Sequence, residues 1–79
     1  MPESARPRLT PTQWLVLEQL AAGESNAAIA RSLGIGLGTV DSHIKAIYQR
    51  LPHANRGGKR AAAGAWYLTV GRALHEEGV

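Results

Sequence analysis

Cysteine and phenylalanine are absent from this chain of 79 residues, and its aromatic residues are two tryptophans and two tyrosines. The absence of cysteine excludes disulfide bonds and metal sites built on thiolates. The three histidines, at positions 43, 53 and 75, lack the spacing of metal ligands. No apolar run approaches the roughly 20 residues that span a bilayer, and the N-terminus lacks the apolar core of a signal peptide. The sequence therefore predicts a cytoplasmic protein without a metal or a membrane contact.

Residues for a catalytic site are also missing. The sequence shows no set of a nucleophile, a general base and a residue that orients the base. It also shows no pair of carboxylates placed to face one pocket. Gly34, Gly36 and Gly38 do not form a phosphate-binding loop, because no strand precedes them and no Lys-Ser/Thr pair follows. We therefore predict neither an enzymatic activity nor a cofactor.

The small size of the chain bears on its stability. A domain of this length buries only about 60% of the surface that its unfolded chain exposes, so its own core supports it marginally. Because disulfides and thiolate metal sites are excluded, a partner subunit is the most available further support. The length therefore favours a homodimer.

The residues from Ser25 to Ile44 have the pattern of two short helices joined by a tight turn. Ile29, Ala30 and Leu33 lie on one face of the first helix, and the glycine after them suits the left-handed conformation of a reversing chain. The apolar residues of the second helix repeat at helical spacing and are Val40, Ile44, Ile47 and Leu51. This pattern is typical of a helix-turn-helix, whose second helix can lie in the DNA major groove.

A helix is predicted before this motif. Thr10 is a good N-cap, Pro11 suits the first helical position, and Gln13 can complete a capping box. The helix should run to Ala22 and stop at Gly23.

A further helix is predicted after the motif, from about residue 58 to about residue 77. Gly64 and Gly71 weaken it, so it can kink or split there. Residues 1–8 contain two prolines and no periodicity, which indicates a flexible N-terminal arm. The whole pattern predicts an all-α fold without strands.

Positive charge is concentrated in one part of the chain. The formal net charge is +3. A run without intervening acids consists of Lys45, Arg50, Arg56, Lys59 and Arg60. Glu76 and Glu77 lie at the far end of the chain, and such an offset is the expected electrostatic pattern of a nucleic-acid binder. The alternative is a solvated surface with incidental positive charge.

Residues spread over most of the chain stand in the order and spacing of a known family. They are Leu9, Thr10, Pro11, Val16, Leu17, Leu20, Ala21, Gly23, Ser25, Asn26, Ile29, Ala30, Leu33, Gly34, Ile35, Thr39, Val40, His43, Ile47, Leu51, Asn55 and Arg56. The chain resembles the LuxR/FixJ-type (GerE-like) DNA-binding domain over residues 9 to about 68, in one ungapped register up to Arg56. The resemblance implies a four-helix domain over residues 9–79, with its helix-turn-helix at about 25–44. We expect no receiver or ligand-binding domain before it, so the chain resembles the stand-alone members.

The resemblance also implies which residues meet double-stranded DNA. The third helix would read the major groove, and in the family the positions of Asp41, Ser42 and Lys45 face base edges. Lys45 can donate to guanine, Gln49 can pair with adenine, and Asp41 can accept from cytosine N4. The residues predicted to hold phosphates are Thr39, Arg50, Arg56, Lys59 and Arg60. The alternative for the polar residues is an ordinary solvated helix face.

The fourth helix of the family forms a twofold dimer. An apolar stripe on the corresponding segment of this chain includes Trp66, Val70 and Leu74, and these residues are the predicted dimer interface. Trp66 is the predicted anchor, because large aromatic side chains suit interfaces.

Several residues depart from the family pattern. Gly36 replaces the usual Ser or Thr N-cap, which weakens the cap by a few tenths of a kcal/mol. Gly38 and Asp41 stand where Lys is frequent, and phosphates repel an acidic residue. Either these residues restrict the range of DNA sequences that the protein binds, or this surface does not bind DNA.

The second possibility is a protein-interaction module that binds another regulator or RNA polymerase. Leu15 falls nearly opposite the apolar face of the first helix, and Trp14 lies on the flank of that face. These two residues can contact a protein partner or an extended fourth helix. His75 is predicted to lie at the surface.

Overall fold

The computed structural model describes residues 8–51 and 58–77, and within these ranges it contains helices and no strand. The elements are α1 (Pro11–Ala21), α2 (Asn26–Leu33), α3 (Leu37–Arg50), α4 (Lys59–Trp66), a π-helical segment (Tyr67–Gly71) and α5 (Arg72–Glu76). The last three follow one another without a break and are called the C-terminal helix. The all-α prediction is confirmed. No helix in the described part of the chain is long and apolar enough to cross a membrane.

The start of α1 is fixed by reciprocal hydrogen bonds. The backbone N–H of Gln13 donates to Thr10 Oγ1 at 3.1 Å, and the Thr10 N–H donates to Gln13 Oε1 at 3.0 Å. Pro11 occupies the first turn, where its missing N–H would have had no helical partner. The predicted capping box is therefore confirmed.

The turn between α2 and α3 also follows from local sequence. Ser25 Oγ accepts from the Ala28 N–H at 3.1 Å and caps α2. Gly34 ends α2 in the left-handed region, with φ 68° and ψ 36°, which a side chain would strain. The Ile35 N–H then donates to the Ala30 carbonyl at 3.0 Å, a bond typical of a helix that ends on a left-handed glycine.

The apolar faces of the first three helices form one core. Its largest fully buried side chains are Leu17, Ile29, Ile47, Val16 and Val40. Burial of a side chain of this kind contributes about 1.5–3 kcal/mol. The helical repeats therefore point into the core as predicted.

The C-terminal helix packs across α1. A Cβ at Gly64 would lie 3.3 Å from the Ala21 Cα, so the missing side chain allows a close approach of the two backbones. A Cβ at Gly71 would overlap the indole ring of Trp66, which covers this glycine. The ring belongs to the residue five positions earlier, and five residues is the hydrogen-bond spacing of a π-helix. The helix neither splits nor ends at its glycines.

Trp14 lies in the core rather than on an available flank of α1. Of the two contacts predicted for it, the one with the fourth helix is confirmed, and its burial leaves little surface for a protein partner. Only 3% of its surface is exposed. Its ring stacks on those of Trp66 and His75, with centroid distances of 6.1 and 5.2 Å. His75 is half-buried, not at the surface as predicted, and its Nδ1 lies 2.8 Å from the Tyr67 hydroxyl. The physical reason is that the C-terminal helix brings its aromatic side chains back onto α1.

Candidate nucleic-acid interface

The buried face of α3 determines which of its side chains are exposed to solvent on the opposite face. Val40, Ile44 and Ile47 are almost completely buried. Because side chains three or four positions apart share one helix face, this burial directs the intervening polar residues to solvent. The exposed predicted base-contacting residues are Asp41, Ser42, Lys45 and Gln49. We call these four residues the reading face.

An ion pair lies within the reading face. Lys45 Nζ is 3.0 Å from Asp41 Oδ2, and the side chains are 71% and 53% exposed. An acid placed four residues before a base is the favourable order on a helix, and such an exposed pair contributes about 0.3–0.5 kcal/mol. The pair balances the charge of the reading face locally, and it is weak enough to open when Lys45 meets another acceptor.

The N-terminal end of α3 is bare, in the sense that no side chain caps its backbone N–H groups. Its N-cap, Gly36, makes no side-chain hydrogen bond, as predicted from its residue type. A Cβ added at Gly36 or Gly38 would meet no atom within 4 Å. Leu37 between them is 58% exposed, and Thr39 is exposed as well. The backbone N–H groups of the first turn therefore have no side-chain cap, and an anion can approach them.

Two of the predicted phosphate-binding arginines make contacts within the chain. Arg50 Nη1 donates to the Arg8 carbonyl at 2.9 Å, which joins the end of α3 to the segment before α1. Arg60 Nη1 donates to Asn26 Oδ1 at 2.7 Å, and its Nη2 donates to the Glu24 carbonyl at 2.6 Å. These bonds hold the first turn of the C-terminal helix to the start of α2. Both side chains are exposed, so their phosphate contacts stay predictions.

The other predicted phosphate-binding residues that the structure describes belong to different helices. Thr39 is exposed in the first turn of α3, and Lys59 is exposed in the first turn of the C-terminal helix. Arg56 lies outside the described residues, as does the predicted N-terminal arm of residues 1–8 except for Arg8.

Tyr48 is a residue of α3 that was not predicted as part of the site and whose hydroxyl is influenced by nearby charges. Its ring is half-buried against the core. Burial raises the pKa of its hydroxyl, the positive charge of Arg60 lowers it, and the negative charge of Asp41 raises it. The Tyr48 hydroxyl is therefore influenced by the charges of one residue of the reading face and one of the basic run.

The predicted dimer residues divide between the core and the surface. Trp66 and Leu74 are partly buried and pack against the core. Val70 is 48% exposed, and the nearby Leu68, which was not predicted, is 51% exposed. A large part of the apolar stripe thus stabilises the monomer. Leu68 and Val70 are exposed apolar side chains on different faces of the C-terminal helix.

Sequence comparison identifies the family of this chain. The profile of "Bacterial regulatory proteins, luxR family" (GerE) matches residues 7–58. The chain belongs to this family. Its members are DNA-binding regulators and not enzymes, so both the predicted family and the predicted absence of enzymatic activity are confirmed.

The curated relatives are much longer proteins. The chain is 48% identical over 48 residues to a protein named as an HTH-type transcriptional regulator, YhjB, of Escherichia coli (strain K12), which covers 61% of the chain and 24% of that protein. The identity is also 48% over 48 residues to the Glycerol metabolism activator of Pseudomonas putida, with 61% and 22% covered. It is 42% over 48 residues to the HTH-type transcriptional regulator MalT of Vibrio campbellii, with 61% and 5% covered. No solved structure matches the chain significantly.

Proposed function

We propose that this chain recognises specific double-stranded DNA sites as a homodimer, with α3 in the major groove, and thereby regulates transcription. The observation that carries the proposal is the orientation of α3. Its apolar side is buried in the core, and its reading face, with the bare N-terminal end, is open to solvent. A helix held in this way can enter a groove without any rearrangement of the domain. Since bacterial DNA lies in the cytoplasm, we place the protein there.

In this proposal the reading face makes the base contacts. Lys45 donates to guanine O6 or N7, Gln49 pairs with adenine, and Asp41 accepts from cytosine N4. Ser42 adds a hydroxyl that can donate or accept. Lys45 leaves its ion pair with Asp41 on binding, and the cost is small because both side chains are exposed.

The phosphate contacts surround this face. Thr39 and the uncapped N–H groups of the first turn of α3 suit one phosphate. Lys59 and Arg56 are the basic residues that we assign to backbone contacts without sequence preference. Arg50 and Arg60 keep donors beyond those that their intramolecular bonds use, because a guanidinium carries five.

The homodimer is assigned to the C-terminal helix. Val70 of the predicted apolar stripe is exposed and available for this contact, whereas Trp66 and Leu74 of the same stripe are partly buried against the core. A twofold dimer would place its two α3 helices on half-sites about one helical turn of DNA apart.

An interaction with another protein is the second candidate function. Asp41 introduces an acid into a surface that would face phosphates, and Leu15 is 40% exposed on α1. In that case the neighbour would be another regulator or RNA polymerase, and Leu15 rather than Trp14 would contact it.

Titration of duplex DNA at several salt concentrations distinguishes the two candidates. Lys45→Gln should weaken binding to a preferred duplex by about 1–3 kcal/mol and relax the preference for one base. Lys59→Gln should weaken all duplexes alike and reduce the slope of log affinity against log salt by about 1. The control is Arg72→Gln, which removes an exposed charge from α5. Equal affinities for all three variants would contradict the DNA proposal.

A further inference from the structure

Leu37 is exposed where the proposed function would place DNA. It is the first residue of α3, and its exposed fraction of 58% exceeds those of Leu68, Val70 and Leu15. No contact in the core explains a leucine here. A polar residue would interact better with water and with the uncapped N–H groups of the first turn.

The two residues beside Leu37 in the sequence have no side chains that could shield it. Gly36 and Gly38 have no side chains, and a Cβ on either would meet no atom within 4 Å. The first turn of α3 contains no acidic residue. A ligand can therefore approach Leu37 closely without meeting a bulky or negatively charged neighbour within that turn.

Leu37 is also in line with the reading face. Asp41 and Lys45 follow at intervals of four residues, and each interval turns the helix by only about 40°. The three side chains thus form one stripe, with the Asp41–Lys45 ion pair directly after the leucine. In a helix-turn-helix, the N-terminal residues of the second helix are those that contact base edges.

The major groove offers one apolar group among its donors and acceptors, the C5 methyl of thymine. We propose that Leu37 is a specificity-determining residue that selects thymine by covering this methyl group. The inference rests on the proposed function of α3. A protein partner is the weaker fit, because a lone leucine between two glycines is much smaller than the contiguous apolar patches that mark protein interfaces.

The test measures whether the effect of removing the thymine methyl group depends on Leu37. Wild-type protein selects duplexes from a randomised pool, and each enriched thymine of the selected duplex is then replaced by 2′-deoxyuridine, which lacks only the methyl group. For the thymine that meets Leu37, this replacement should weaken wild-type binding about fourfold, the effect of one buried methyl-sized group. Leu37→Ala should bind both duplexes equally.

Two further variants control for the fold and for the position. Leu68→Ala removes a leucine of similar exposure, 51% against 58%, from the C-terminal helix and should keep the fourfold sensitivity. Leu37→Met keeps an apolar side chain of similar size and should also keep it. Thermal unfolding should show that Leu37→Ala is folded, since the side chain is exposed and alanine favours helices.

The outcomes separate the inference from the proposed function. If wild-type protein enriches no sequence, the proposed function fails and the inference fails with it. If it enriches a sequence without thymine, or if Leu37→Ala retains the sensitivity to deoxyuridine, only the role of Leu37 is overturned. Loss of the sensitivity in Leu37→Ala, with its retention in Leu68→Ala and Leu37→Met, supports the inference.

Discussion

The helix-turn-helix and the C-terminal helix are specified in different ways. In the first, the caps and the turn come from residues a few positions apart, such as the Ser25 cap and the left-handed Gly34. In the second, the decisive contacts join residues far apart in the chain. Trp14 stacks on Trp66 and His75, and Arg60 reaches back to the start of α2. The caps and the turn of the helix-turn-helix are therefore set by local signals, whereas the position of the C-terminal helix depends on contacts that only the complete fold creates.

The largest effect should come from breaking the aromatic contacts of the C-terminal helix. Trp14→Ala removes a buried ring that stacks on two others, and it should lower the free energy of unfolding by about 3–5 kcal/mol. Chemical denaturation followed by circular dichroism measures this loss. The control is Leu15→Ala, at the neighbouring but exposed position. Equal losses for the two variants would show that the aromatic contacts do not hold the C-terminal helix.

A pair of glycines sharpens the comparison, because the same substitution should act with opposite sign in the two regions. Gly71→Ala adds a methyl group where the ring of Trp66 lies, and it should destabilise the fold by about 1–2 kcal/mol. Gly38→Ala adds one where no atom lies within 4 Å, and it should stabilise α3 by up to about 1 kcal/mol. Melting temperatures of both variants are the measurement. A higher melting temperature for Gly71→Ala would contradict the packing of Trp66 on this glycine.

A smaller loss is expected when the link between the C-terminal helix and α2 is removed. Arg60→Met loses the hydrogen bonds to Asn26 and to the Glu24 carbonyl, and since the site is exposed the cost should be about 1 kcal/mol. Lys59→Met, at the adjacent exposed position, is the matched control and should change stability little. Urea midpoints compare the two. If Lys59→Met costs as much as Arg60→Met, these hydrogen bonds contribute nothing specific.

The smallest effect concerns alkaline pH. Burial raises the pKa of the Tyr67 hydroxyl, and the charge of Glu18 raises it further. The unfolded chain therefore loses this proton at lower pH than the folded chain, so stability is retained below the usual tyrosine pKa of about 10 and falls as the pH rises through it. Tyr67→Phe should make the decline shallower, as measured by denaturation between neutral and alkaline pH. An unchanged decline would exclude Tyr67 as its source.

These contrasts explain how far the sequence predicts this molecule. The capping box of Thr10 and Gln13 and the turn at Gly34 were predictable, because each depends on the residue types of adjacent positions. The reading face was accessible to the same reasoning, since the buried repeat of α3 determines the opposite side. The ion pair of Asp41 and Lys45 followed the spacing of four residues but was not predicted.

The contacts of the C-terminal helix could not be derived in this way. An apolar stripe containing Trp66 is compatible with packing in the monomer and with a dimer, and the choice depends on where Trp14 lies in three dimensions. The role of Arg60 likewise depends on a carbonyl 36 positions earlier in the chain. Leu37 was not predicted, because the sequence does not show that this leucine is exposed. Its exposure at a helix end, between two glycines with open space around them, is visible only in the structure.

Selection of duplex DNA from a randomised pool by the purified wild-type chain tests the central claim most directly. If α3 reads base edges from a twofold dimer, the enriched sequences should be palindromic, with half-sites about one helical turn apart. Lys45→Gln should lose the preference for one base pair in each half-site. A folded wild-type chain that enriches no sequence would contradict the assignment of α3 as the reading helix.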